Sequence, residues 1–198
     1  RAPSLPADAG LETRFRAALG FELTRGQEEA LAEIGADLGE SHPMMRLLQG
    51  DVGCGKTVVA AIAALRAIGA GQQAAVLAPT ELLADQHYRT FRRWFDGLGI
   101  LVVPLAGSQG KRRREAAHQA IAGGEARLIV GTHALFQEAV EYQRLGLIVV
   151  DEQHRFGVHQ RLALMRKGTA DGLQPHQLVM TATPIPRTLA MTMYADLD

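Results

Sequence analysis

Short, mainly apolar runs of four to six residues alternate along this chain with longer stretches in which apolar side chains return every third or fourth position. The short runs lie at 44–48, 74–79, 100–105, 126–130, 147–150 and 177–181. They are too short for helices and too uniformly apolar for half-exposed strands, so they predict strands covered on both faces. The longer stretches predict helices. In 23–38, Leu31, Ile34 and Leu38 share a face, Thr24 is the predicted N-cap, and Gln27 three residues later completes a capping box. In 81–95, Leu83, His87 or Tyr88, Phe91 and Phe95 point inward and the basic residues outward. Further helices are expected after 57, closed by Gly69 and Gly71, at 111–122, briefly from about 134, at 160–166, and after Pro184 and Pro186. Strands and helices alternating through short connections predict an α/β fold with a mostly parallel sheet and helices on both faces. Residues 1–10, rich in Pro, Ala and Asp, show no periodicity and are expected to be a flexible lead-in.

Composition narrows the class. With 198 residues, 47% hydrophobic and 21% charged, the chain suits one globular domain. Basic and acidic residues number 21 each, so any nucleic-acid contact must come from a local face rather than a global field. Cys54 is the only cysteine, which excludes an internal disulfide and fits a reducing, cytoplasmic setting. No apolar run approaches the roughly 18 residues of a membrane span, and no secretory signal opens the chain. A start at Arg1 reads as a piece of something longer. His42 and His176 lack zinc-ligand spacing and are expected to be surface or satisfied residues.

Two runs carry chemistry. GDVGCGKT (50–57) satisfies GxxxxGK[ST] between a strand pattern and a helix pattern, the context in which that motif works. Gly50, Asp51, Val52, Gly53, Cys54 and Gly55 form a loop whose N–H groups surround phosphates, Lys56 reaches the β and γ phosphates, and Thr57 offers a hydroxyl to Mg²⁺. Cys54 is a small space-filler in that loop. The second run, VVDEQHRFG (149–157), empties polar residues at the carboxyl end of a buried strand. Asp151 is expected to hold the same ion from the neighbouring strand and Glu152 to orient the attacking water. The cofactors predicted are ATP and Mg²⁺.

The ordered set LTRGQ (23–27), GDVGCGKT, APTELLADQH (78–87), GTHAL (131–135), DEQH and TATPIPR (181–187) resembles the first RecA-like motor domain of superfamily 2 helicases, most closely the RecG family of branched-DNA translocases. The resemblance covers residues 21–198 and leaves 1–20 as a linker from a DNA-wedging domain. It implies that Gln27 reads the adenine edge and Phe21 packs on the base, although Gly20 stands where the family has Pro. It implies DNA-strand contacts by Thr80, Glu81, Gly107, Thr132 and His133, with Arg155 and Phe156 beyond the acidic box. Gln153, His154, Thr181 and Thr183 would couple the nucleotide's state to DNA. The basic run at 111–114 reads as a solvated helix start or, alternatively, a phosphate-facing patch.

The implied activity is ATP-driven remodelling of branched DNA, forks and four-way junctions, in recombination and repair. A duplex translocase of the transcription-repair coupling type, a stand-alone P-loop NTPase and a DNA-binding module with a relic nucleotide site are the alternatives. The second motor domain, expected in cis, would supply arginines to the γ-phosphate. A monomeric piece without it is expected to hydrolyse ATP very slowly.

Overall fold

The alternating faces of β5 show how the sheet is built. In β5 (Leu145–Asp151), Leu147 and Val149 enter one core cluster while Ile148 and Val150 enter the other. β2 (Gln73–Leu77) does the same, with Ala74 and Val76 on one side and Ala75 and Leu77 on the other. A strand with both faces buried has no room for alternating polar residues, so its sequence is continuously apolar. The computed structural model describes residues 1–50, 55–151, 158–170, 172–181 and 194–196.

The remaining strands are β1 (Met45–Gln49), β3 (Val102–Leu105), β4 (Leu128–Gly131), β6 (His176–Thr181) and β7 (Tyr194–Asp196). They form one sheet in the order β3-β4-β2-β5-β6-β1-β7, and every pairing between these strands is parallel. The α/β, parallel-sheet expectation therefore holds. α1 (Ala9–Leu19), α2 (Arg25–Leu38), α3 (Lys56–Gly69) and α4 (Glu81–Phe95) contribute to one core cluster. α5 (Lys111–Gly123) and α6 (Val158–Gly168) pack on the opposite face. Most expected boundaries lie within two residues of those observed, but Tyr194, expected in the helix after Pro186, opens strand β7 instead, and residues 182–193 lie outside the described residues.

The first ten residues depart from expectation. Their composition suggested a flexible lead-in, yet Ala2 and Leu5 are buried. The Ala2 and Leu5 N–H groups donate to the Ser41 and Leu38 carbonyls, at 2.6 and 2.7 Å. Asp8 then caps α1 by accepting from the Leu11 N–H at 3.0 Å, and Phe15 packs edge-on against Trp94 and Phe95 of α4. Periodicity missed this segment because its anchors are single apolar residues between prolines, and because α1 buries only a narrow stripe.

His176 is the buried clasp between that lead-in and the sheet. Its Nδ1 accepts the Met44 N–H at 2.9 Å, so Nε2 carries the proton and donates to the Pro3 carbonyl at 2.6 Å. Burial lowers its pKa from the ordinary 6.5, against the opposing effects of the Pro3 bond and of Asp37. A depressed folded-state pKa gives a contribution that is complete above 6.5 and lost as pH falls through the folded value. The urea midpoint of the wild type should therefore drop between pH 7.5 and pH 5.5 by more than that of His176→Gln. Equal drops would remove His176 as the cause.

Gln73 plays a similar part at the amino end of the sheet. Its amide donates to the Ile121 and Ala126 carbonyls, both at 2.9 Å, and accepts the Arg144 N–H at 3.0 Å. It is a fully buried polar side chain with its partners supplied.

Candidate nucleotide and DNA-strand site

The carboxyl ends of the parallel strands point to one rim, where open α/β sheets collect ligand chemistry. β1 ends at Gln49, and the N–H of Gly50 just beyond it donates to the Thr181 carbonyl at the end of β6, 3.1 Å away. Lys56, the first residue of α3, folds back so that Nζ donates to the Gly50 carbonyl at 2.6 Å. Gly55 caps α3 at φ +84°, a left-handed conformation that disfavours a side chain. No side chain caps the first turn of α3 among the described residues, so its N–H groups remain available to an anion. Thr57 lies in that same turn. Asp51, Val52, Gly53 and Cys54 lie outside the described residues.

Gln27 bridges α2 to this loop. Thr24 and Gln27 make the reciprocal capping box expected of them, with Thr24 N–H donating to Gln27 Oε1 at 2.8 Å and Gln27 N–H to Thr24 Oγ1 at 3.2 Å. The remaining amide nitrogen donates to the Gly55 carbonyl at 3.3 Å. A Cβ at Gly55 would overlap that nitrogen, a second reason for glycine there. Phe21 is 54% exposed. It borders a hollow of about 330 Å³ with Arg16, Leu19, Glu22, Leu23 and Glu28, and Arg16 pairs with Glu28 beside it.

The acidic strand end corrects one expectation. Asp151 does not sit on the strand beside β1, because β6 lies between β5 and β1. The order in which strands occur along the chain does not encode their order in the sheet. Asp151 pairs in register with Met180 while Gln49 pairs with Thr181, which places the Met180–Thr181 end of β6 between Gln49 and Asp151. Asp151 is only 5% exposed. Its Oδ2 lies 2.6 Å from His87 Nε2 on α4, a contact not expected from sequence. The only hint was the position of His87 on the inward face of α4. Glu152, Gln153, His154, Arg155, Phe156 and Thr183 lie outside the described residues.

Mg²⁺ is tested by the donors present. Among the described residues no three His, Cys, Asp or Glu side chains converge. A cation here would rest on the Asp151 carboxylate, the Thr57 hydroxyl and oxygens brought by a nucleotide and water. That oxygen-poor protein set suits Mg²⁺, which keeps waters and binds through one or two carboxylates plus phosphates. It does not suit a dedicated metal cage.

A second cluster gathers at the ends of β2, β3 and β4. Thr80 caps α4, its hydroxyl accepting the Leu83 N–H at 3.2 Å. Glu81 Oε2 accepts from the Ser108 hydroxyl at 3.2 Å. A Cβ at Gly107 would lie 3.7 Å from His133 Nε2 and 4.0 Å from Glu81 Oε1, so these three positions adjoin. Gln109 closes the turn beneath them, bonding the Ala106 N–H and the Pro104 carbonyl. Thr132 differs from expectation: it precedes a 3₁₀ turn, His133–Phe136, rather than a helix. Its hydroxyl caps nothing and bonds His133 Nδ1 at 3.3 Å, and the residue is 5% exposed. Tyr142 donates to the Leu135 carbonyl at 2.8 Å, which ties down the end of a turn too short to be an α-helix. Lys111, Arg112 and Arg113 are exposed at the start of α5, and Arg113 shares a groove of about 600 Å³ with Glu81 and Gln109.

The DEAD/DEAH box helicase family profile matches residues 24–192. The chain belongs to the DEAD/DEAH box helicase family. Among curated DEAD/DEAH relatives, it is 59% identical over 197 residues to the ATP-dependent DNA helicase RecG of Escherichia coli (strain K12), covering 100% of this chain and 28% of that protein. It is 48% identical over 198 residues to RecG of Aquifex aeolicus (strain VF5), covering 100% of this chain and 25% of that protein. The chain thus spans about a quarter of the length of these relatives. A solved structure of RecG bound to a three-way DNA junction superposes with TM-score 0.84 at 40% identity, over 98% of this chain and 26% of that one. The DUF1998 helicase MrfA bound to DNA and AMPPNP superposes with TM-score 0.74 at 18% identity, over 100% of this chain and 30% of that one, a likeness of fold alone. The sheet is therefore the RecA-like fold of DEAD/DEAH box helicases. No helix among the described residues is long and apolar enough to cross a membrane.

Proposed function

We propose that the chain is the ATP-binding half of a DNA helicase or translocase that remodels branched DNA, including forks and four-way junctions, in recombination and repair. The observation that carries this reading is the convergence of Gln27, Gly50, Gly55 and Lys56 at one sheet rim. It occurs in a chain 59% identical to RecG along its full length. The junction complex of RecG supports branched DNA as the ligand class.

In this reading Phe21 and Gln27 receive the adenine. The N–H groups of 50–55 and the start of α3 receive the phosphates, with Lys56 on the β and γ groups. Thr57 and Asp151 hold Mg²⁺, which would neutralise charge developing on the phosphate oxygens. Glu152 orients a water whose oxygen attacks the γ-phosphorus. The bond to the β–γ bridging oxygen breaks, and ADP and phosphate leave. Thr80, Glu81, Gly107, Thr132 and His133 face one DNA strand, joined by Arg155 and Phe156. Of these, Thr80 best fits a phosphate, because its capping bond uses only an acceptor lone pair and the hydroxyl proton remains to donate. Thr181, at the end of β6 between β1 and β5, relays nucleotide state with Gln153, His154 and Thr183. A DNA-wedging domain preceding this region and a second motor domain following it in cis complete the machine, which acts in the cytoplasm; this chain by itself is a monomer.

The test compares ATP turnover by the full-length protein on three-way or four-way junctions and on linear duplex. Junctions should stimulate turnover more strongly, and Glu152→Gln should abolish it. Equal stimulation by duplex would replace the branched-DNA reading with a plain duplex translocase.

A further inference from the structure

One contact at the rim has no part in the chemistry proposed above. His87 lies seven residues beyond the Thr80 cap of α4, two helical turns, and its Nε2 stands 2.6 Å from Asp151 Oδ2. The two side chains are 12% and 7% exposed, so water competes little for the bond. A carboxylate only accepts, so Nε2 donates. The imidazole also lies against Phe91, with ring centroids 6.3 Å apart, and Phe91 is wholly buried. The ring is thus backed by the core and aimed at the carboxylate. Among the described residues, His87 is the hydrogen-bond partner recorded for Asp151.

We propose that His87 is a positioning residue for the metal-holding carboxylate. Its bond fixes Asp151 Oδ2, leaves Oδ1 to the cation, and ties the carboxylate's orientation to α4, whose capped start faces the DNA strand. The inference rests on the reading of Asp151 and Thr80 given above. It adds a link from nucleotide to DNA through α4, separate from the route through Thr181.

The test measures binding of a fluorescent ADP analogue by this chain across a Mg²⁺ titration and in EDTA. Wild type is compared with His87→Phe, which keeps an aromatic ring against Phe91 but has no donor, and with His87→Gln, which keeps an N–H. Trp94, the only tryptophan, packs edge-on against Phe91 on the same helix, so its emission reports whether α4 remains packed. Partners that orient metal ligands typically contribute ten- to hundredfold in metal affinity. His87→Phe should therefore require about tenfold more Mg²⁺ for half-maximal binding, with affinity in EDTA unchanged, while His87→Gln stays near wild type. Adding His87→Phe to Asp151→Ala should change nothing further, since the bond is already gone. The proposal is overturned if His87→Phe responds to Mg²⁺ as wild type does, or if its effect adds to that of Asp151→Ala. Should Trp94 emission show His87→Phe unpacked, the wild-type imidazole ¹⁵N spectrum decides. Mg²⁺ with ADP must move the His87 Nε2 resonance, and an unmoved resonance overturns the proposal. Mg²⁺-independent binding by wild type itself would instead defeat the metal reading of Asp151, and this inference with it.

Discussion

Lys56→Ala should bind a fluorescent ATP analogue about thirtyfold more weakly than wild type, a loss of about 2 kcal/mol. Hydrogen bonds from a charged donor are worth roughly 1.5–3 kcal/mol each, and an ammonium between two phosphates can make more than one. The expected loss is smaller than that sum because Lys56 is not idle in the free chain. Its Nζ already donates to the Gly50 carbonyl at 2.6 Å, and nucleotide must draw it away or share it. Lys56→Arg should not rescue, since a planar fork is a poor substitute for a compact point charge in a tight loop. Titration by fluorescence anisotropy checks both variants. Equal affinity in wild type and Lys56→Ala would mean that the loop is a relic and the motor reading is wrong.

Gly131→Ala should be the most damaging small change to the fold, lowering stability by about 3 kcal/mol and the thermal midpoint by on the order of 10 °C. Gly131 ends β4 and pairs with Leu105 on one side and Leu77 on the other. A Cβ there would collide with the Leu105 main-chain carbonyl oxygen and lie 3.1 Å from Leu135. Main chain in a sheet cannot step aside as a flexible side chain can, so β3 and β4 must separate or the 3₁₀ turn must shift. That turn carries His133, so strand-face binding should weaken as well. Gly97→Ala is the control, with nothing within 4 Å of the added carbon, and should melt like wild type. A Gly131→Ala midpoint within a degree or two of wild type would show that the sheet absorbs the methyl group.

The start of α3 was legible because it is local. Gly55, Lys56 and Thr57 are consecutive, and the glycine takes a left-handed conformation that other residues resist. The Thr24–Gln27 capping box is likewise a three-residue relation, and it formed as its spacing predicted. Thr132 shows where local reading fails. A polar residue before an apolar run resembles a helix cap, but the run ends at Gln137 after a single 3₁₀ turn. The docked lead-in was illegible for a related reason. Ala2, Pro3 and Leu5 have no periodicity of their own, and what orders them is His176 and the end of α2, far along the chain.

By itself the sequence determined the α/β class, the strands buried on both faces, the helix that starts at Lys56 and the membership of the motor family. Each of these depends on spacing between residues near one another in the chain, and backbone geometry reads such spacing directly. Only the tertiary structure decided that β6 stands between β1 and β5, that its end at Thr181 therefore separates Gln49 from Asp151, and that His87 reaches Asp151 across 64 residues. Those facts follow from which buried faces pack together, a choice made by the whole core at once. No short stretch of sequence carries it.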